Sequence, residues 1–197
     1  MADDLQKLNI GCGTSPRDGW VNLDIMPGPG VDLVFDLEAC AGLKLPYAED
    51  SFGEFRAFHI LEHIQNLLEL MQELHRVAAD GAILRAAVPH IGSDTSWADP
   101  THRRAMSATS FTYFAQPTYT FADYGYRGDW DLQKIYYKIG RKRAGADVDN
   151  LDRLLERVEI ERNIVREMFV ELRAVKPARA RGVGSIADCE IAFLFED

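Results

Sequence analysis

A chain of 197 residues is long enough for one globular unit with a substantial core and short for two of ordinary size. Hydrophobic residues make up 47% and charged residues 27%, which excludes disordered and fibrous classes, and no apolar run approaches the roughly 20 residues that span a bilayer. With 22 basic and 31 acidic side chains the formal charge is −9, which repels phosphate backbones and points away from nucleic acid toward a small, neutral or cationic partner. Met1 to Lys7 lack the basic start and apolar stretch of a signal peptide, so a cytoplasmic location is expected. Cys12, Cys40 and Cys189 are odd in number and form no C-x-x-C pair, which indicates reduced thiols rather than a disulfide framework or a cysteine zinc site.

Short apolar runs bounded by turn residues come first in chain order. Leu8 to Ile10, Trp20 to Ile25, Val31 to Phe35 and Phe55 to Ile60 read as buried strands, two of them reaching acids near their ends, Asp24 and Asp36. Asn66 to Ala79 is the clearest helix: Leu67, Leu70, Met71, Leu74 and Val77 recur at helical spacing, Asn66 and Glu69 read as a capping pair, and Gly81 as the stop. Ala82 to Val88 is a fifth strand. Strands with continuous apolar cores, separated by helical or loop connections, argue an α/β fold around a mostly parallel twisted sheet.

Beyond Pro89 the periodicity loosens. His90 to Arg127 is rich in Ser, Thr, Tyr, Phe and Asp and reads as a lid-like, substrate-facing excursion, its aromatics forming a minor core beneath. Asn150 to Met168 carries apolar residues near helical spacing, interrupted by the charged stretch Glu159 to Asn163. Cys189 to Phe195 is a closing strand, with Leu132 to Ile139 and Phe169 to Val175 as its possible partners. The whole reads as one unit over 1–197, with a core at about 5–90, the excursion at about 91–130 and C-terminal helix and strands over 131–197.

Gly11 and Gly13 directly after a buried strand allow a sharp turn and close backbone approach to a ligand. A dinucleotide fingerprint asks for G-x-G-x-x-G, a full helix facing the pyrophosphate, and an acid about 20 positions on. Here position 16 is Pro16, only six residues separate Gly13 from Trp20, and Asp24 follows Gly13 by 11. A parallel crossover usually needs a dozen residues, so the first helix is reduced to about a turn and the phosphate site is poor. A ligand with an adenosine and no phosphate does not need that helix, and S-adenosylmethionine is such a ligand. Asp24 and Asp36 are then placed to accept hydrogen bonds from ribose hydroxyls and from an adenine amino group.

The ordered set Leu-Asn-Ile-Gly-Cys-Gly (8 to 13), Gly-Trp-Val-Asn-Leu-Asp (19 to 24), Asp36-Leu37-Glu38, Leu45-Pro46 with Asp50-Ser51-Phe52, His59-Ile60-Leu61-Glu62-His63 and Glu73-Leu74-His75-Arg76-Val77 resembles the class I S-adenosylmethionine-dependent methyltransferases, most of all a bacterial subgroup with a shortened first helix. The resemblance covers roughly residues 5 to 115, including Asp99-Pro100-Thr101-His102-Arg103. It implies a Rossmann-like fold in which Gly11, Cys12 and Gly13 line the methionine moiety, Thr14 also contacts the cofactor, Asp24 binds ribose, Asp36 with the Leu37 amide reads adenine, and Phe58 and His59 border the sulfonium. Asn9 stands where the family often has an acid and Ser15 where it often has a third glycine, a motive for the rival reading of a non-catalytic, cofactor-binding regulatory module.

A rival from another class lies in His59-Ile60-Leu61-Glu62-His63, which satisfies the H-x-x-E-H of inverted zinc proteases and would make a zinc hydrolase. That chemistry needs both histidines on one helix, whereas His59 ends a strand-like run, so no metal is expected. His90, after the fifth strand, and His102 in the following loop are the candidate general bases, since a near-neutral imidazole can take a proton from an attacking oxygen or nitrogen. Methyl transfer asks mainly for in-line placement, so the role of a base stays open. The expected activity is methyl transfer to oxygen or nitrogen of a small-molecule or glycan-type acceptor.

Overall fold

The computed structural model describes residues 5–186 and 188–197. Strands β1 (Gln6–Ile10), β2 (Val21–Asp24), β3 (Leu33–Val34), β4 (Phe52–Phe58), β5 (Ala78–Pro89), β6 (Trp130–Gly140), β7 (Val165–Ala174) and β8 (Glu190–Glu196) form one sheet in the order β3-β2-β1-β4-β5-β7-β6-β8. All pairings are parallel except those of β7, which runs against both β5 and β6. The expected mostly parallel Rossmann-like sheet is therefore present. Its order reverses between β1 and β4, which is where open α/β sheets bind ligands at the carboxyl ends of their strands.

The main helix α1 (Leu67–Val77) buries Leu67, Leu70, Met71, Leu74 and Val77, the stripe its spacing announces. Burial of such a side chain contributes roughly 1.5 to 3 kcal/mol. Trp130 of β6, fully buried, donates its indole N–H to the Met71 carbonyl at 3.0 Å and docks the helix on the sheet. The ends of α1 differ from expectation. Asn66 makes no side-chain cap; instead the Glu38 carboxylate accepts the N–H groups of Gln65 (2.6 Å) and Asn66 (3.0 Å), so an acid 27 and 28 positions upstream satisfies the donors at the helix entrance. The helix stops at Ala78, which turns extended, and Gly81 (φ +76°) instead lies in a bulge of β5, where pairing with β4 jumps from Phe52–Ala78 to Glu54–Ile83.

After β5 come the short helices α2 (Thr95–Ala98) and α3 (Ala108–Thr112), and after β6 come α4 (Arg141–Ala144) and α5 (Leu151–Ile160). The helical spacing over Asn150 to Met168 breaks within the charged stretch, where the helix ends at Ile160. Asn163 takes a left-handed φ of +60° that reverses the chain, and Val165 to Met168 open β7, where two neighbouring strands take up their backbone groups. β6 is the partner of β8. The excursion between β5 and β6 is packed: Phe111, Phe114, Tyr119 and Tyr126 are buried in edge-on contacts, and the Tyr126 hydroxyl donates to the Phe114 carbonyl at 3.1 Å. Asp129, fully buried, is gripped by the Arg179 backbone N–H (2.9 Å), Nε (2.8 Å) and Nη2 (2.7 Å), which ties the C-terminal segment to the start of β6.

No helix is inserted between β1 and β2 or between β2 and β3. One face of the sheet is consequently open and polar. Glu54, Arg56, Phe58, Arg85, Phe169 and Glu171 are half-buried there, with ion pairs from Lys7 to Glu54 (2.9 Å) and from Arg85 to Glu54 and Glu171. Among the described residues, no helix is long and apolar enough to cross a membrane.

Candidate active site

The carboxyl end of β1 turns through Gly11 (φ +64°) and Gly13 (φ +51°), conformations that side chains with a Cβ rarely take. At Gly11 the need is doubled, since a Cβ would stand 2.9 Å from Ile60 Cγ1, whereas one at Gly13 would meet nothing within 4 Å and face open space. The turn is fixed from the end of β2. Asp24 accepts the Gly13 N–H at 2.7 Å through one carboxylate oxygen and the Met26 N–H at 3.0 Å through the other, while Cys12 N–H donates to the Leu23 carbonyl at 3.0 Å. Each Asp24 oxygen keeps acceptor capacity. Cys12 is buried, and burial followed by the nearby Asp24 charge raises its thiol pKa, so it is a neutral wall and not a nucleophile. Thr14 is exposed beside it.

Beneath the turn lies a network that the sequence pattern does not announce. Asn9, fully buried, donates to the Asn22 side chain (2.9 Å) and to the Ser15 carbonyl (3.3 Å), and accepts from Arg56 Nη1 (3.1 Å). The amide does what a carboxylate there could not, since it donates to the turn and accepts from the guanidinium at once. Ser15 carries its own contact through the backbone, its N–H bonding the Cys12 carbonyl at 2.8 Å. Both departures from the family pattern are thus built into a satisfied turn.

At the end of β3, Asp36 accepts the Glu38 N–H at 2.9 Å and caps a short 3-10 turn, Leu37–Ala41. The Leu37 N–H, first in that turn, has no intrahelical acceptor. Asp36 is exposed while the Leu37 side chain anchors the turn in the core. Asp24, Asp36 and the glycine turn therefore meet along the carboxyl ends of β1, β2 and β3. Phe58 does not join them: its ring lies on the open sheet face, 3.9 Å from the Arg56 guanidinium and edge-on to Phe169 at 5.7 Å.

The next residue, His59, takes φ +54°, a strained backbone for a side chain of its size, held by its N–H on the Ala87 carbonyl at 2.8 Å. Its Nε2 lies 2.6 Å from Glu167 and its Nδ1 3.6 Å from Glu62. The Glu167 contact foremost, with Glu62 beside it, raises its pKa to about 9, so it is an imidazolium at neutral pH. His59 lines an open cleft of about 1010 Å³ with Glu62, His63, Thr95, Asp99 and His102 among its walls. Residues 61–63 form a short 3-10 turn, so the H-x-x-E-H string does not occupy one helix face and the inverted zinc-protease geometry is not formed.

The two candidate bases part company. His102 lines the cleft, its Nδ1–H donating to the Ser96 carbonyl at 2.8 Å, so Nε2 is the nitrogen turned to the cleft side. His90 is buried with its Nδ1 accepting the Gly92 N–H at 3.2 Å and its ring edge-on to Tyr137, and it is not among the cleft residues. Burial lowers its pKa. It pins the base of the excursion. Glu167, which holds His59, was missed because it arrives from β7, more than a hundred positions along the chain, while Thr101, inside the string at residues 99 to 103, bonds His63 Nδ1 at 3.0 Å.

Neither a family model nor a curated protein matches the sequence. Solved structures do resemble the fold. An S-adenosylmethionine-dependent methyltransferase from Archaeoglobus fulgidus matches with a TM-score of 0.54 at 14% identity over 87% of this chain and 86% of that one. Another from Mesorhizobium loti gives 0.50 at 15% identity over 86% and 91%. The [4+2]-cyclase SpnF gives 0.53 at 15% identity over 87% and 75%. The chain therefore has the Rossmann-like fold of class I methyltransferases, a fold that also carries a cyclase, so its reaction has to be argued from the site.

Proposed function

We propose that the protein binds S-adenosylmethionine at the carboxyl ends of β1, β2 and β3 and transfers its methyl group to oxygen or nitrogen of a small-molecule or glycan-type acceptor in the adjoining cleft. The observation that carries this reading is the Asp24 carboxylate, which pins the Gly13 N–H at 2.7 Å and keeps lone pairs for a ribose diol. The donor set suits an adenosine without phosphates: acceptors at Asp24 and Asp36, a free N–H at Leu37, an unobstructed approach at Gly13, and no long helix whose N-terminus could face a pyrophosphate.

In this reading Gly11, Cys12, Gly13 and Thr14 form the floor for the methionine end, Asp24 holds ribose, and Asp36 with the Leu37 amide holds adenine. The cofactor supplies an electrophilic methyl group on a sulfonium. His59 contributes the backbone bend between β4 and the cleft, and its imidazolium, locked to Glu167, closes that wall; Phe58 supports it from the open face. His102 presents Nε2 to the acceptor side, and His90 holds the excursion that carries His102. Placement of acceptor against methyl carbon accounts for most of the rate, as expected for a displacement that needs positioning above all.

Asp24→Ala and His102→Ala separate the two halves of the site. With S-adenosylhomocysteine release followed in the presence of acceptor pools, Asp24→Ala raises the cofactor KM by about 100-fold, the loss of two hydrogen bonds to a carboxylate. His102→Ala leaves that KM within about threefold and lowers kcat by 100-fold or more, the scale of a proton-handling group. Equal cofactor KM increases in both variants contradict this division.

A further inference from the structure

Glu62 is buried to 2% exposure, lines the cleft, and neither of its carboxylate oxygens has a hydrogen-bond partner. The His59 imidazolium, its Nδ1 3.6 Å from Glu62 Oε1, supplies one counter-charge but no hydrogen bond, so both carboxylate oxygens keep their acceptor capacity in a buried position. His63 and His102 stand beside it, each with a nitrogen such that the ligand atoms of the three residues lie within 4.8 Å of one another. The two rings meet edge-on at 4.7 Å.

The hydrogen bonds around the rings place an N–H on Nδ1 of each histidine and leave Nε2 as the nitrogen available to a ligand. His102 Nδ1–H is spent on the Ser96 carbonyl at 2.8 Å. The Thr101 hydroxyl donates to Asp99 at 2.7 Å, so toward His63 Nδ1, 3.0 Å away, it acts as an acceptor, and that nitrogen carries the proton. Metal binding takes the neutral ring, in which Nε2 carries the lone pair. Metal-binding histidines characteristically donate their other N–H to a carbonyl or to a carboxylate-linked group in this way.

We propose that Glu62, His63 and His102 form a binding site for one divalent first-row transition metal, of which zinc is the reference case, and that it binds the acceptor by an oxygen. Two imidazoles and one carboxylate suit such a cation better than magnesium, and three protein ligands leave a position open to the cleft. Ligand atoms around a four-coordinate zinc at about 2.0 to 2.1 Å stand roughly 3.4 Å apart. Ligand atoms up to 4.8 Å apart close by up to about 1.4 Å on binding, within the range of side-chain rotation. The location fits: Ile60, two residues before Glu62, packs on Gly11 of the glycine turn, so the site borders the methionine end. The inference rests on the methyltransferase reading for its consequence, since an acceptor hydroxyl on the cation loses its proton more readily. The O–H bond breaks, the electron pair stays on oxygen, and the proton passes to the Asp99 carboxylate, whose Oδ2 is 4.0 Å from His102 Nε2. The acceptor-side role of His102 then runs through the cation, and the acceptor is an oxygen nucleophile.

The test is calorimetric titration of chelator-treated full-length protein with zinc chloride, with cobalt(II) absorption as a second readout and S-adenosylhomocysteine titration as a separate one. One zinc per chain with micromolar or tighter affinity is expected, with cobalt d–d bands that shift when His102 is replaced. Affinity falls at least 100-fold in Glu62→Gln and His102→Ala. Thr101→Val, which touches no ligand atom and spares the buried carboxylate, weakens binding about 10- to 100-fold. Absence of stoichiometric zinc binding, or affinity unchanged in His102→Ala and Thr101→Val, overturns the metal site. If S-adenosylhomocysteine still binds in that case, the methyltransferase reading stands; if zinc binds and S-adenosylhomocysteine does not, that reading fails and the metal site stands.

Discussion

Gly11 is required twice, by its φ of +64° and by the 2.9 Å that would separate its Cβ from Ile60. Gly11→Ala is therefore expected to cost about 2 kcal/mol or more, of which roughly 1 to 2 is the left-handed backbone alone, read as a lower urea midpoint with unchanged slope. A midpoint equal to the parent's contradicts the close approach. Buried histidines set a pH dependence. Burial, foremost in each case, lowers the pKa of His75 and His90 from 6.5, so the folded protein keeps them neutral while the unfolded chain takes up protons near that value. Stability from these residues is present in full above pH 6.5 and is lost as the pH falls through it toward their folded values. His75→Gln, which retains a donor for the Val175 carbonyl 3.0 Å from His75 Nε2, flattens the decline in urea midpoint between pH 7.5 and 5.5; parallel profiles contradict it. The residues at strand ends, Gly11, Gly13, Asp24 and Asp36, were legible because turn chemistry is local. Asn9 with Arg56, 47 positions apart, was not, because only the sheet register brings them together.

Helix α1 shows at the element scale what periodicity reads and what it misses. Its buried stripe follows from the spacing of five apolar residues, but its entrance is capped by Glu38 and not by the adjacent Asn66 and Glu69, because a carboxylate arriving from the 3-10 turn after β3 satisfies two N–H groups at once. Glu38→Ala is expected to lower stability by about 1 to 2 kcal/mol, in the range of cap losses, and Glu69→Ala by under about 0.5 kcal/mol, both by chemical denaturation. The reverse order contradicts the capping described. The run Asn150 to Met168 divides at its charged stretch for a related reason: Ile164, Val165 and Met168 fit a helical stripe by spacing, but two neighbouring strands offer the backbone a ladder and Asn163 turns the chain into it. Continuous apolar strands were likewise expected, whereas β4 alternates. With no helix after β1 or β2, one face of the sheet meets water, and Glu54, Arg56 and Arg85 occupy it.

For the whole molecule, strand order, the direction of β7 and the reduced first connection place the glycine turn, two acids and the histidine cleft along one sheet edge. The Rossmann-like class was legible in the alternation of strands and connections. The makeup of the cleft was not, since its walls come from residues 59–63, 89, 95–102, 138, 166–167 and 196, segments that only the tertiary fold assembles. The most direct measurement is calorimetric titration of the protein with S-adenosylhomocysteine beside NAD. One site of micromolar affinity for S-adenosylhomocysteine, with no heat from NAD, is the result expected from an adenosine site that lacks a pyrophosphate-binding helix. No binding of S-adenosylhomocysteine, or tighter binding of NAD, would contradict the cofactor assignment on which the proposed function stands.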